Sequence, residues 1–393
     1  MRLKLQRLSP WRLKGLSAVA RLILAWGLLE GVRNGFYAGY LAIHGGHLGF
    51  TLAVIGTAWS IHLLSDSFSK SLGGYLSQKL GMGIVTLVGG GVGLVALLVT
   101  PYAQSPILLF GLSLVWGVSL SAIFPGLLTL SSQVAVPGRE GRAVTLTNML
   151  TAPWTGIGVL GIGFVTKVNP GLALNILEWA QIAVILIGLS LIFRPERVRP
   201  PRQELYPWRR LLLFIPAAFG QTFAPALFSF YILKYAQSLG VSMFWITVLI
   251  VLGGVISTIL LIWTGRHADR KSPRELLIVG LVLIGTAMIG LGLKPGLSIL
   301  LPLAVIGGVG FGCFGPAWNA LVVRLLPENN RAAAWGTLMT VEGLGHAIGP
   351  AVGGVLAAAI ASNAPFFVGG VIMLLLSVFY AIALWRPWWI PQP

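Results

Sequence analysis

Apolar runs long enough to cross a lipid bilayer follow one another along almost the whole chain, and they leave little choice of fold. GIVTLVGGGVGLVALLV (83–99) and APFFVGGVIMLLLSVFYAIALW (364–385) contain no charged residue. A spanning helix needs about 20 such residues. In lipid the backbone can satisfy its own hydrogen bonds only as a helix or in a closed barrel, and these continuous runs lack the alternation of barrel strands. Only 9% of residues are charged, against roughly 25% in a soluble domain. We therefore expect an all-α integral membrane protein, and 393 residues accommodate about twelve transmembrane helices with short loops.

The formal charge is +17, a value that on its own suggests nucleic acid as a partner. Placement argues otherwise. Arg2, Lys4, Arg7, Arg12 and Lys14 precede the first span, and Arg139 and Arg142, the arginines between 194 and 210, and Arg266, Arg270, Lys271 and Arg274 fall in every second loop. Intervening loops hold little beyond Lys167, Lys234 and Lys294. This is the positive-inside bias, so both termini and the loop near residue 200 are expected on the cytoplasmic side of a cytoplasmic (inner) membrane, with an even number of spans and no nucleic-acid partner. The first apolar stretch is too long for a signal peptide and carries Glu30 and Arg33, so it is read as the first span. Cys313 is the only cysteine, which rules out an internal disulfide and a cysteine metal cluster.

Shifting the chain against itself by about 191 residues brings similar punctuation into register. Tyr40 meets Tyr231, Leu48-Gly49 meets Leu239-Gly240, and Gly74 meets Gly265. We expect a six-helix N-terminal half (1–193), a cytoplasmic linker rich in proline and arginine (194–210) and a six-helix C-terminal half (211–393). The first, second, fifth, seventh and eleventh spans fall at about 17–43, 50–77, 143–167, 211–236 and 332–361.

Three segments carry a resemblance to a known family. GRHADRKS (265–272), with Asp269 and Arg270, resembles the glycine–x–x–x–aspartate–arginine signature of the major facilitator superfamily. The first-half copy GYLSQKLG keeps Gly74, Lys79 and Gly81 but has Gln78 where the family has its aspartate. GHAIGPAVGG (345–354), with Gly349 and Pro350, resembles that family's glycine-proline antiporter motif, although the family places it chiefly in the fifth span, where this chain has TAPWTGIG (151–158). The resemblance implies two like-handed six-helix halves, a site near the bilayer midplane between them, and gating roles for Gly74, Lys79, Asp269, Arg270, Gly349 and Pro350. Close helix packing explains the same glycines without contradicting transport.

Charges in the middle of the first two spans are the strongest functional signal. Glu30 and Arg33 lie three residues apart on the first helix, and His62, Asp66 and Lys70 follow at fourfold spacing on the second. A charge at bilayer centre costs at least about 2.5 kcal/mol, so such residues pair, face a cavity and mark a pathway. A structural ion pair of Arg33 with Glu30 or Asp66 is one reading. The other is that Glu30 or Asp66 carries a proton and Arg33 switches its pairing with protonation, because two acids beside one arginine leave a carboxylate in excess.

The second-half counterparts of Glu30, Arg33 and Asp66 are Gln221, Ala224 and Ser257. With Phe223, Phe228, Phe230 and Tyr231 nearby, a cavity polar on one wall and apolar on the other is expected, suited to a cargo with a polar head and a greasy tail. Trp116, Trp154 and Trp318 lie well inside their spans and are candidates for cargo contact or for simple packing. His62, Lys70 and Gln221 complete the candidate binding set. Glu342 and His346 form a possible second protonation site, for which we prefer a structural pairing with each other or with Arg324 or Arg331. His44 and His47 have metal-compatible spacing but no evident third ligand.

The glutamate-x-x-arginine of the first span and the aspartate thirty-three residues after Arg33 resemble the lipoteichoic-acid glycolipid flippases of the superfamily. That resemblance implies a proton-coupled transporter that moves a diacylglycerol-linked disaccharide; a monomer powered by the proton gradient, without cofactor or metal, is expected. Multidrug antiporters of amphiphilic drugs, which also place acids in the first two spans, are the alternative. A membrane enzyme would need a supported catalytic group, and the acids here are scattered or buried. A receptor that keeps the fold without transporting is a further alternative, left open by the residues.

Overall fold

The computed structural model describes residues 13–103, 105–136, 140–192, 212–270, 273–325 and 331–384. The expected linker, 194–210, lies outside them. The chain divides into two compact units, Met1–Arg202 and Gln203–Pro393.

In the first unit α1 (Leu13–Asn34) continues through a π-helical stretch, Gly35–Leu41, and is followed by α2 (Leu52–Leu80) and α3 (Met82–Val99). The fourth span comes in two pieces, α4 (Pro106–Leu120) and α5 (Ile123–Gln133). The fifth comprises α6 (Glu140–Thr151), α7 (Pro153–Ile157), a second π-helical stretch Gly158–Ile162 and α8 (Gly163–Val168); α9 (Pro170–Ile192) is the sixth. In the second unit α10 (Ile215–Ser229) and α11 (Ile232–Ser238) form the seventh span, followed by α12 (Met243–Arg270), α13 (Pro273–Gly292), α14 (Leu297–Leu325), α15 (Arg331–Ala359) and α16 (Ala364–Ala383). The fold is an all-helical membrane bundle of twelve spans in two six-helix repeats.

Among the described residues nine helices are long and apolar enough to cross a membrane by that criterion alone. The other three are the first, second and seventh spans. The first two carry Glu30, Arg33, Asp66 and Lys70, and the seventh holds Pro225 and is interrupted at Phe230-Tyr231. The spans weakest in hydrophobic signal are thus those bearing the unusual polar groups or breaks.

Both units pair their helices alike. The first span packs against the fifth, the second against the fourth and the third against the sixth; the seventh packs against the eleventh, the eighth against the tenth and the ninth against the twelfth. Small residues make these approaches possible, because lipid gives helices no hydrophobic drive to associate and close packing must supply it. A Cβ on Gly35 or Gly39 would run into Ile162 and Gly163, so the two π-helical stretches pack on each other. In the second unit the stripe Gly345, Gly349 and Gly353 on α15 lies against the backbone of α10 at Phe219, Phe223 and Leu227. The candidate gating residues Gly349 and Pro350 are both buried.

The repeat extends to backbone detail. Thr51 caps α2 by accepting a hydrogen bond from the Val54 amide at 3.3 Å, and Ser242, its counterpart, accepts one from the Trp245 amide before α12 at 3.5 Å. Gly49 and Gly240, paired by the same shift, both have positive φ, at 81° and 75°. Gly81 joins α2 to α3 at φ 87°, ψ 157°, a region open essentially only to glycine. Gly81→Ala is expected to destabilise the protein by about 1–3 kcal/mol, read as a lowered midpoint of thermal unfolding in detergent. An unchanged midpoint would mean that this junction relaxes freely.

Large apolar side chains such as Ile107 and Leu375, 81% and 63% exposed, cover the outside of the helices, as lipid contact requires. Polar anchors join span ends within each unit. Arg21 donates to the Ser190 carbonyl at 2.9 Å, and Arg274 to that of Ala381 at 2.9 Å.

Candidate functional site in each half

The first unit gathers Glu30, Arg33 and Asp66 into one constellation. Arg33 donates through Nε to Glu30 Oε2 at 3.1 Å, through a terminal nitrogen to Glu30 Oε1, and through the other to Asp66 Oδ2 at 3.3 Å. One guanidinium thus holds two carboxylates on two helices. Its planar fork suits this geometry where a lysine ammonium would not. The side chains of Arg33, Glu30 and Asp66 are only 11%, 14% and 6% exposed. Lys70 approaches Asp66 at 3.8 Å but is itself 44% exposed, so it offsets the second acid only weakly.

Residues not singled out from sequence complete the arrangement. Asn34 donates to Glu30 Oε2 at 2.9 Å, and the Trp26 ring lies 5.2 Å below the guanidinium carbon, stacked in turn on Phe124. Asn34 sits i+4 to Glu30, a spacing that sequence inspection could have flagged. Directly after it the helix widens into the π-helical stretch, a local feature often found at functional positions. Asp66 Oδ1 is buried with no hydrogen-bond partner among the described residues.

His62 and two of the tryptophans lie among aromatic and helix-packing contacts. His62, one helical turn from Asp66, is fully buried among Tyr37, Trp59 and Trp116, with ring centroids 5.2–5.4 Å away. It belongs to the aromatic interior and not to the face carrying Lys70. Trp116 shares that interior and also contacts Phe36. The half-buried Trp154 ring lies over Gly27 and fills the space a side chain there would take. Both tryptophans are thereby placed as packing groups.

In the second unit the aromatics expected to form an apolar wall pack on one another and on α16. Phe230 and Tyr231 are buried in the interior, where Tyr231 donates to the Ser362 carbonyl at 2.9 Å, and Phe228 stacks on Phe366 at 4.3 Å. Phe223 stacks on Phe219. Glu342 is an acid of this unit whose expected partners Arg324 and Arg331 have side chains outside the described residues. Its Oε1 accepts hydrogen bonds from Gln221 Nε2 at 2.7 Å and Trp318 Nε1 at 3.2 Å. The seventh, tenth and eleventh spans therefore meet at a carboxylate. These three residues, with Asn319, line a cavity of about 400 Å³. A second cavity of about 540 Å³, lined by Phe228, Ile232, Tyr235, Ile246 and other apolar groups, shares Ile284 and Phe311 with the first.

Of the remaining candidates, Lys79 is exposed at the end of α2, while the side chains of Gly74, Gln78, Asp269, Arg270, Arg324 and Arg331 lie outside the described residues. The His44 and His47 rings are 5.2 Å apart, and among the described residues no group of three metal-ligating side chains forms.

Two six-helix repeats with buried charges in mid-span define a multi-pass membrane transporter. The sequence profile of the Major Facilitator Superfamily matches residues 23–301 and 276–388, and the chain belongs to that family. It is similar to the proton-coupled antiporter flippase LtaA of Staphylococcus saprophyticus, 24% identical over 371 residues, covering 90% of this chain and 91% of that protein. The flippase LtaA of Staphylococcus aureus is likewise 24% identical over 369 residues, with the same coverage. Among solved structures, the fold is similar to a bacterial homologue of the human lysosomal transporter Spinster in an inward-facing, occupied conformation, with TM-score 0.75 and 15% identity over 98% of this chain and 99% of that one. It is also similar to the nucleoside transporter NupG, with TM-score 0.69 and 16% identity over 95% and 99% of the two chains.

Proposed function

We propose that the protein is a proton-coupled transporter that flips an amphiphilic glycolipid, most simply a diacylglycerol-linked disaccharide, across the cytoplasmic membrane by alternating access. The observation that carries this reading is the sharing of Arg33 between Glu30 and Asp66. Within a low-dielectric span, protonating either acid releases the guanidinium toward the other, so proton binding and helix pairing are coupled. Glu30 and Asp66 are the proton carriers in this reading, and Arg33 is the group that switches. The sugar head is assigned to the charged constellation. The apolar 540 Å³ cavity of the second unit is of a size and character to take part of an acyl chain. Similarity to the LtaA flippases over 90% of the chain supports the cargo class. Both termini are assigned to the cytoplasm from the loop charges, the proton gradient supplies the energy, and the working unit is a monomer.

The test is flipping of a fluorescent diacylglycerol-disaccharide in proteoliposomes, with and without an imposed pH gradient. The native protein is expected to respond to the gradient, and Asp66→Asn to lose at least about tenfold of that response while still reconstituting. Gradient-driven flipping that survives in Asp66→Asn and in Glu30→Gln alike would reject the assignment. Absence of flipping by the native protein would reject the cargo.

A further inference from the structure

We propose that the C-terminal half holds a separate binding site for an amphiphilic organic ammonium ion, with Glu342 as its counter-ion and the adjoining apolar cavity receiving the tail. The proposal uses none of the residues of the first unit and shares with the glycolipid reading only the apolar 540 Å³ cavity.

The carboxylate is held but not neutralised by its two donors. Gln221 and Trp318 are both uncharged, and both bond the same oxygen, Oε1. Oε2 has no hydrogen-bond partner among the described residues, and it is not among the sealed polar atoms of the interior. Glu342 is a lining residue of the 400 Å³ cavity, so this oxygen is open to whatever enters. An anion in such a place favours a ligand that brings a positive charge.

The rest of the lining selects the kind of cation. Phe314 and Trp318 lie nearly parallel, 10° apart with centroids at 6.3 Å, and Phe311, Met339 and Met373 add polarizable surface. Aromatic faces beside a carboxylate are the recognition chemistry of alkylammonium groups, whereas a small inorganic cation would demand several oxygen ligands. A sugar is a poorer match. One N–H of Gln221 is engaged by Glu342, and beside that amide the wall offers only Asn319 among its described lining residues as a neutral polar side chain for hydroxyls. Finally, the cavity shares Ile284 and Phe311 with the 540 Å³ apolar cavity, which places space for a tail beside space for the head.

The experiment is calorimetric titration of benzyldimethyloctylammonium into the full-length protein in phosphatidylcholine nanodiscs, with empty nanodiscs subtracted. Glu342→Gln preserves an oxygen that can accept both hydrogen bonds, so the fold is kept while the charge is removed. It is expected to weaken binding by at least about tenfold, whereas Glu178→Gln, which removes a carboxylate from the first unit, should bind as the native protein does. Equal affinity in the native protein and Glu342→Gln, or equal loss in both variants, would overturn the site. A diazirine derivative of the same ammonium gives a second reading on the native protein alone. Labels within 311–319 or 339–342 support the proposal, and labels confined to other segments reject it. No pH gradient or glycolipid enters either measurement, so a failure of flipping would reject the glycolipid cargo and leave the ammonium site standing.

Discussion

Arg33→Met is expected to destabilise the protein by about 3–5 kcal/mol, the cost of leaving buried charge without its partner. Glu30 and Asp66 are 14% and 6% exposed at the side chain, and Arg33 is the cation nearest to both. Removing it leaves two carboxylates on neighbouring helices, with only the half-exposed Lys70, among the described residues, at 3.8 Å from one of them. Single losses of an acid should be milder, because Arg33 then keeps one partner. The triple variant Glu30→Gln, Arg33→Met, Asp66→Asn should recover much of the loss, since it removes the unpaired charges together. The measurement is the thermal midpoint by size-exclusion in detergent for each variant. A native midpoint for Arg33→Met would show that water already screens these acids, and the idea of a guanidinium locking two helices would fall.

The second large effect is at the contact between the seventh and eleventh spans. A side chain on Gly353 would land on the Leu227 carbonyl, on a backbone that cannot rotate away, and the neighbouring Gly345 and Gly349 meet Phe219 and Ala226 less closely but still within clash distance. Gly353→Val must therefore separate α15 from α10. Overpacking typically costs about 1–3 kcal/mol, and a clash with helix backbone belongs at or above the top of that range. Gly156→Ala is the control, because nothing lies within 4 Å of the position its Cβ would take. Thermal unfolding should fall sharply for the first variant and stay at the native value for the second. Equal midpoints would mean that the helices slide apart without loss.

How much of this was visible before the fold is clearest from the two acid sites. Glu30 and Arg33 were legible because their pairing is local, three residues on one helix, and Asp66 followed because mid-span acids are rare enough to notice. Glu342 was visible as a residue, but the groups that hold it were not. Its donors Gln221 and Trp318 lie 121 and 24 positions away, and nothing in the spacing of an amide, an indole and a carboxylate announces that they meet. The directions in which the aromatics point were illegible for a related reason. In a membrane helix, apolar side chains can face lipid, cavity or neighbour with the same composition, so Phe230 and Tyr231 carried no directional signal until Phe366 was found against Phe228 and Tyr231.

By itself the sequence determined the membrane class, the helical secondary structure, the twofold repeat and the charged core of the first half. Those follow from length, hydropathy and short-range spacing, which the bilayer enforces on every span separately. Only the tertiary structure decided which face of each helix is buried, that His62 is withdrawn into an aromatic cluster, and that the second half also encloses a carboxylate. Those depend on how closely glycine-bearing helices approach one another, a matter of packing between distant segments that no single span contains.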